Sequence, residues 1–266
     1  MNLETITSRD NSLLRQARAV RDGKVQELVF IEGLRLADEA LRSKLEIAAV
    51  IVSQELAQKE KARDLINELG QTSHRLASVS EKLLESISYT KTPQGIVVLA
   101  SRPETSKEHF AANVRAPSLI VIMHRINNPV NVGAILRTAE AAGATGVIAT
   151  QNTSDPLSPK SLRGAMGSAF RLPVWFGPTY DEALAWCRER GIQTICADVH
   201  ASTGHNQVDW QRPSALILGP ESSGLSREEI SEANQAVRIP MRGPAESLNV
   251  AVATGVLLYE AARQRS

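Results

Sequence analysis

From Ser118 onward the chain alternates short apolar runs with helix-patterned stretches, and this alternation limits its architecture more than any other feature. Ser118–Met123, Val147–Ala149, Leu172–Trp175, Ile192–Ala197 and Ala215–Leu218 read as strands. Between them, helices are expected over Val132–Ala142, over Ser158–Ser168 and from Thr179 to Arg190. Their ends carry the expected signals: Gly143 after the first, and capping boxes at Thr179 with Glu182 and at Ser226 with Glu229. Regular strand–helix alternation is best satisfied by an open parallel sheet with helices on its faces. In such a sheet the default ligand site is the set of loops leaving the carboxyl ends of the strands.

The first hundred residues alternate less regularly. A helix is expected over Asn11–Asp22, with Leu13, Leu14, Ala17 and Val20 toward a core. Strands follow at Leu28–Ile31, Glu46–Val52, His74–Val79 and Gly95–Leu99. Helices are expected up to Arg42, over Gln54–Leu69 with Gly70 closing it, and over Glu81–Ile87. Residues 101–117, SRPETSKEHFAANVRAP, are polar and bracketed by prolines, and read as a linker. The expected division is a domain over 1–100, that linker, and a second domain over 118–266.

Charge decides little. The net charge is +1, with 15 basic and 15 acidic residues in 1–106 against 15 and 14 in the remainder. That excludes a strongly basic nonspecific nucleic-acid binder but not a local patch. One such patch is Arg9, Arg15, Arg18 and Arg21, a stripe opposite the apolar face of the first helix, readable as a solvated face or as a phosphate contact. No apolar run spans a bilayer, and MNLETITSRDNSLLRQ lacks a signal-peptide core. Cys187 and Cys196, without metal or redox spacing, read as buried thiols of a cytoplasmic protein.

Three strand-to-helix loops carry the polar residues suited to a site. The first runs Asn127–Gly133 and leads to Arg137. The second, Gly219–Ser226, has the glycine spacing of a phosphate-binding loop but Leu225 where the lysine belongs, which argues against nucleotide triphosphate chemistry. The third begins as a β-like run at Val237–Pro240 and breaks at Gly243-Pro244. It resumes as a helix with Ser247 as the expected N-cap. That helix is apolar almost all round, which predicts burial. The histidines are scattered, and His200 and His205 read as surface residues.

Together, NNPVNVGAILRTAEAAGATGV, ILGPESSGLS and IPMRGPAESLNVAVA resemble, in order and spacing, the three signature motifs of the SPOUT superfamily in its SpoU branch of RNA ribose 2′-O-methyltransferases. The likeness covers 118–264. A weaker one, carried by Phe30–Leu36 and Thr92–Ile96, makes the first domain similar to the L30e-like substrate-binding module of that branch. The resemblance implies an α/β fold whose C-terminal segment is threaded into a deep trefoil knot. It also implies S-adenosylmethionine bound in the knot, a homodimer that completes the site, no metal, and no membrane.

The same likeness assigns residues. Arg137 acts on the 2′-hydroxyl, as proton acceptor or as phosphate anchor; a guanidinium with pKa above about 12 is a poor base, which leaves both roles open. Asn131 orients Arg137 or the substrate, Glu221 holds an arginine or its own loop, and Ser247 and Asn249 lie near the methyl group. Leu218, Gly219, Ile239, Met241 and Leu248, with Ser247 and Asn249, bind the cofactor, largely through backbone groups. Arg35 joins Arg9, Arg15, Arg18 and Arg21 as an RNA contact. Ala165 stands where the family has a serine. The expected substrate is structured RNA, ribosomal in preference to transfer RNA. The rivals are a non-catalytic RNA-binding or assembly factor on the same fold, and a methyltransferase of another target atom.

Overall fold

The computed structural model describes residues 3–266 and divides into two compact units. One comprises the residues up to Pro103 together with Leu157–Phe170; the other comprises Glu104–Pro156 and Arg171–Ser266.

In the first unit, β1 (Glu4–Ile6) precedes α1 (Ser12–Arg21), β2 (Leu28–Glu32), α2 (Leu34–Arg42) and β3 (Ile47–Ser53). Next come α3 (Gln54–Ala57), α4 (Glu60–Thr72), β4 (Leu76–Val79), α5 (Glu81–Ile87) and β5 (Ile96–Ser101). The strands form a mixed sheet in the order β1-β4-β3-β5-β2, with β5 antiparallel to both neighbours. Leu13, Leu14, Ala17 and Val20 pack on its face beside Ile51, Val97 and Leu99, as the spacing predicts. The single helix expected over Gln54–Leu69 is two. The Ser53 hydroxyl accepts from Leu56 N–H at 3.1 Å and starts a one-turn helix, and Lys59 then adopts extended backbone before α4. Gly70 lies inside α4, which ends at Ser73. A glycine stops a helix by turning left-handed, as Gly143 does at φ +80.

The second unit opens with α6 (Lys107–Asn113), which lies within the stretch read as a linker. Its Phe110 is fully buried, 5.1 Å from the Trp186 ring and 6.2 Å from that of Trp175. Then follow β6 (Leu119–Met123), α7 (Pro129–Ala141) and β7 (Gly146–Ala149). The next helices, α8 (Pro159–Ala165) and α9 (Ser168–Arg171), are separated by Met166 in left-handed backbone, φ 51; one helix was expected there. α8 packs against β2 and belongs to the first unit. The second unit resumes with β8 (Val174–Phe176), α10 (Tyr180–Glu189), β9 (Gln193–Ala197), β10 (Thr203–Gly204) and β11 (Ser214–Leu218). It ends with α11 (Arg227–Glu232), β12 (Gln235–Arg238) and α12 (Val250–Arg265).

These strands form one sheet, β10-β12-β9-β11-β6-β7-β8, in which every pairing is parallel. Both expected capping boxes are present. Cys187 and Cys196 are buried, and burial pushes their thiols up to about 12 and about 11. Such thiols are inert at neutral pH. Among the described residues no helix is long and apolar enough to cross a membrane.

Two helix starts differ from expectation. α7 begins at Pro129, with the Asn128 side chain accepting from Val130 N–H at 3.0 Å, so Asn131 lies within the helix. α12 begins at Val250 with Asn249 as its cap in place of Ser247. Nor is α12 buried all round. Thr254, Leu257, Leu258 and Ala261 are buried, whereas Val252, Val256 and Tyr259 are 54%, 37% and 56% exposed.

Candidate active site

The carboxyl ends of β9, β11 and β12 and the start of α12 enclose a cleft of about 1100 Å³. β11 delivers Leu218 to its floor, where the Leu218 carbonyl accepts from His124 N–H at 2.9 Å. The chain turns at Gly219 and folds back on itself: Gly224, at φ +64, donates its N–H to Pro220 O at 2.8 Å. A Cβ on Gly219 would lie 2.8 Å from both the backbone nitrogen and Cγ of Leu225. Only glycine closes this loop without displacing backbone. Ile239, Met241 and Leu248 line the cleft from the other side. Among the described residues, the backbone N–H and C=O groups of 241–248 have no intramolecular hydrogen-bond partner and are free to meet a ligand. All seven residues expected to hold the cofactor, and Glu221, line this one cleft. An open backbone segment, a glycine cradle and apolar side chains suit an amphiphilic nucleoside with a charged tail, the chemistry of S-adenosylmethionine.

Asn131 and Asn249, 118 residues apart in sequence, meet here. Asn249 Oδ1 caps α12 by accepting from Ala251 N–H at 2.9 Å and Val252 N–H at 3.4 Å. This use of the oxygen turns Nδ2 toward Asn131, whose Oδ1 accepts from it at 3.3 Å. One side chain therefore starts the helix and ties the first motif to the third. Ser247 lines the cleft with no side-chain hydrogen bond among the described residues. Glu221 is exposed and, among the described residues, pairs with no arginine. Arg137 is exposed on α7 and is not part of the lining. It follows Asn131 by six positions, which is about 240° around a helix and about 9 Å along it. With Asn131 turned inward, Arg137 faces away from this cleft.

Sequence reasoning missed a buried polar cluster beneath the site. His124 is 6% exposed; its Nδ1 lies 2.9 Å from Thr150 Oγ1 and its Nε2 3.0 Å from Glu229 Oε1. Arg125, in left-handed backbone at φ 54, donates to the same carboxylate oxygen at 2.6 Å. Tyr180 donates its hydroxyl to Glu229 O at 2.9 Å. Glu229 thus joins the residues just before the first motif to the helix that follows the second. Its capping box was legible in the sequence, but its second role needs β6 and α11 brought together.

Burial holds the His124 pKa below its usual 6.5, against the opposing pull of Glu229. The ring is therefore neutral at pH 7, with its proton on Nε2 toward Glu229 and Nδ1 accepting from Thr150. Burial alone would raise Glu229, but the Ser226 N–H, His124 and Arg125 hold its carboxyl below the usual 4.5. Both depressed values give the same sign. The unfolded chain binds protons that the folded chain refuses, so stability falls as pH drops below about 6.5 through His124, and again below about 4.5 through Glu229. Thermal melts at about pH 7.5 and about pH 5.5 should show a falling Tm. The decline should be smaller in His124→Gln; an identical decline in both proteins would remove His124 as its cause.

The arginine stripe of the first unit is not uniform. Arg9 and Arg15 are exposed, and so is Arg35 on α2. Arg18 donates to Arg9 O at 2.9 Å. Arg21 turns inward, pairing with Asp22 at 2.8 Å and donating to the carbonyls of Ser86 and Ser88 at 3.4 and 3.2 Å. Ala165 is fully buried in α8, so a hydroxyl in its place would need a partner inside the first unit.

A sequence profile of the SpoU rRNA Methylase family matches residues 118–259, and one of the MRM3-like substrate binding domain matches 13–98. An uncharacterized tRNA/rRNA methyltransferase of Synechocystis is 32% identical, with 99% of this chain and 95% of that protein aligned. A 23S rRNA (uridine(2479)-2′-O)-methyltransferase of Streptomyces viridochromogenes is 32% identical over 77% of this chain and 71% of its own. Among solved structures, an AdoMet-bound rRNA methyltransferase from Sinorhizobium meliloti superposes with a TM-score of 0.85 at 29% identity, covering 98% of each chain. The AdoMet complex of a SpoU methyltransferase from Streptomyces viridochromogenes gives 0.84 at 28%, covering 96% of this chain and 98% of that one. With the family profile spanning more than half of the chain and a relative of nearly equal length at 32% identity, this chain belongs to the SpoU rRNA methylase family.

Proposed function

We propose that this chain transfers a methyl group from S-adenosylmethionine to a ribose 2′-hydroxyl of ribosomal RNA. The observation that carries the reading is the convergence of the second and third motifs on one cleft, with the first tied to it through Asn131 and Asn249. The chain is an S-adenosylmethionine-dependent RNA 2′-O-methyltransferase, as its family is.

The cofactor supplies an electrophilic methyl group with a good leaving group. What remains for the protein is to hold two partners in line and ease the loss of a proton from the 2′-hydroxyl. Gly219 and the backbone of 241–248 hold the cofactor, with Ile239, Met241 and Leu248 covering its apolar parts. Asn249, fixed by its cap and by Asn131, and Ser247 stand at the mouth toward the ribose. Arg137 acts as a permanently charged, bidentate anchor for the phosphate beside the target ribose, a role that suits a guanidinium better than proton abstraction. Glu221 serves the same mouth as an acidic group facing the incoming substrate.

A homodimer completes the site in this reading. Its support is the exposed apolar stripe Val252, Val256 and Tyr259 on α12, together with the exposure of Arg137 outside the cleft of its own copy. The knot is supported by the path of the C-terminal segment. β12 lies beyond β9 and β11 from β6, yet α12 packs on α7, and Arg265 bonds the carbonyls of Trp210, Arg212 and Ser118 at 2.6, 2.7 and 3.1 Å. Residues 1–100 are read as an L30e-like RNA-binding module and 118–266 as the methyltransferase domain, with 101–117 between them carrying α6 of the second unit. Arg9, Arg15 and Arg35, all exposed, are the cations read as the module's RNA contacts, and the enzyme works in the cytoplasm.

Incubating bacterial ribosomal RNA with labelled S-adenosylmethionine and mapping the label tests the activity; label on a base, or none, overturns it. Mixing tests the shared site. Arg137→Ala and Gly219→Ala chains, each inactive alone, should recover about a quarter of wild-type activity after exchange, since half of randomly formed pairs hold one complete site. Activity that stays at background, with mixed pairs demonstrated by mass, places both residues in one copy.

A further inference from the structure

The 86–95 segment of the first unit presents an aromatic ring to solvent while its backbone is tied down from several sides. Tyr89 is 44% exposed. Beneath it, the Glu32 carboxylate at the end of β2 is only 8% exposed. It accepts from the N–H groups of Tyr89 and Thr90 at 2.9 and 3.2 Å and from the Thr90 hydroxyl at 2.5 Å. From α1, Arg21 donates to the carbonyls of Ser86 and Ser88. At the far end, Gln94 lies so close over Gly33 that a Cβ there would be 2.7 Å from its side-chain oxygen.

Burying a carboxylate and turning an arginine inward are both costly unless fully bonded. Singly exposed aromatics are ordinary, but this one stands on a backbone fixed by two charged side chains from separate elements. The same bonds that satisfy Glu32 and Arg21 place the backbone of Tyr89 while leaving its ring nearly half exposed. A fixed backbone leaves a flat side chain only its own two torsions to lose, which cuts the entropy lost when another ring packs on it. Lys91, two residues on, is an exposed cation, and so is Arg35 on the first turn of α2, three residues after the Glu32 that holds this segment. A pre-set aromatic flanked by cations suits an unpaired nucleotide, whose base stacks while its phosphates meet the charges.

We propose that Tyr89 is a stacking platform for an unpaired nucleobase of the RNA substrate, held in position by Glu32 and Arg21. The inference rests on the reading of the chain as an RNA methyltransferase and names a recognition element within it. It also gives Arg21 a different task from its neighbours in the stripe: it positions the platform and touches no phosphate.

Salt dependence separates stacking from charge, because only phosphate neutralisation releases counterions. The experiment measures binding of the full-length protein to a labelled single-stranded RNA dodecamer of mixed sequence, and to the same strand annealed to its complement, across a salt series. Tyr89→Ala should weaken single-strand binding by about 5- to 150-fold, the range expected for one stacked base. Its salt slope, its duplex binding and its S-adenosylmethionine affinity should match wild type, and Tyr89→Phe should bind as wild type does. Arg21→Gln should show the same loss at unchanged slope, whereas Arg35→Gln should flatten the slope by about 0.7. Single-strand affinity unchanged in Tyr89→Ala, or lost equally for the duplex, overturns the platform while leaving the methyltransferase reading intact. A flattened slope in Arg21→Gln overturns its positioning role. Wild-type protein that binds neither RNA and labels no ribosomal RNA overturns both readings together.

Discussion

Replacing Arg137 by alanine is expected to slow methyl transfer by about 10²- to 10⁴-fold, the range for a group that positions or deprotonates the reacting oxygen. S-adenosylmethionine affinity should stay within several-fold of wild type. The separation follows from placement. Arg137 is exposed on α7 and lines no part of the cleft, so its removal leaves the loop at Gly219 and the cap at Asn249 untouched. Truncating an exposed side chain in a helix also costs the fold little. Arg137→Lys should recover only part of the rate, because an ammonium keeps the charge and loses the bidentate geometry. Single-turnover transfer from labelled cofactor, alongside calorimetric titration, reads both quantities. Turnover near wild type in the alanine variant would remove Arg137 from the site.

The second large effect is expected at Gly219 and has the opposite signature. Gly219→Ala puts a Cβ 2.8 Å from Leu225 N and 3.0 Å from Gly224 C, and neither backbone atom can swing away as a flexible side-chain tip does. The loop must open, carrying the wall of the cleft with it. Cofactor affinity should fall by at least about 100-fold, equivalent to about 2.7 kcal/mol. Gly243→Ala is the matched control: it lies in the third motif, and a Cβ there meets nothing within 4 Å. Its cofactor affinity should be near wild type. Equal loss in both variants would show that the whole region, and not the approach of Leu225 to Gly219, sets affinity.

Much of the fold was legible because its signals are local. Apolar runs marked six of the seven strands of the parallel sheet within a residue or two; β10, at Thr203–Gly204, is too short and polar to carry such a run. The boxes at Thr179 with Glu182 and at Ser226 with Glu229 were readable because each is a reciprocal bond over three residues. Helix starts were harder where two good caps stand close together. Ser247 and Asn249 are both strong N-cap residues, and so are Asn128 and Asn131. Local propensity could not choose between them. The choice was made by a contact 118 residues long in sequence, in which Asn131 is buried within α7 and meets the amide that caps α12.

The site divides the same way. Strand-to-loop-to-helix order sent Gly219, Ser247 and their neighbours to one edge of a parallel sheet, and that edge is where the cleft lies. The sequence alone therefore determined the α/β class and the loops that bear the chemistry, because these depend on local pattern and short spacing, while the cofactor followed from the resemblance those loops carry. Tertiary structure alone decided that Glu229 links His124 to the second motif, that Arg21 turns inward, and that α12 leaves Val252, Val256 and Tyr259 uncovered. Each of these depends on which surfaces meet. An apolar side chain, a carboxylate or a guanidinium has the same intrinsic chemistry wherever it lies, and only its neighbours determine whether it is buried, bonded or left for a partner.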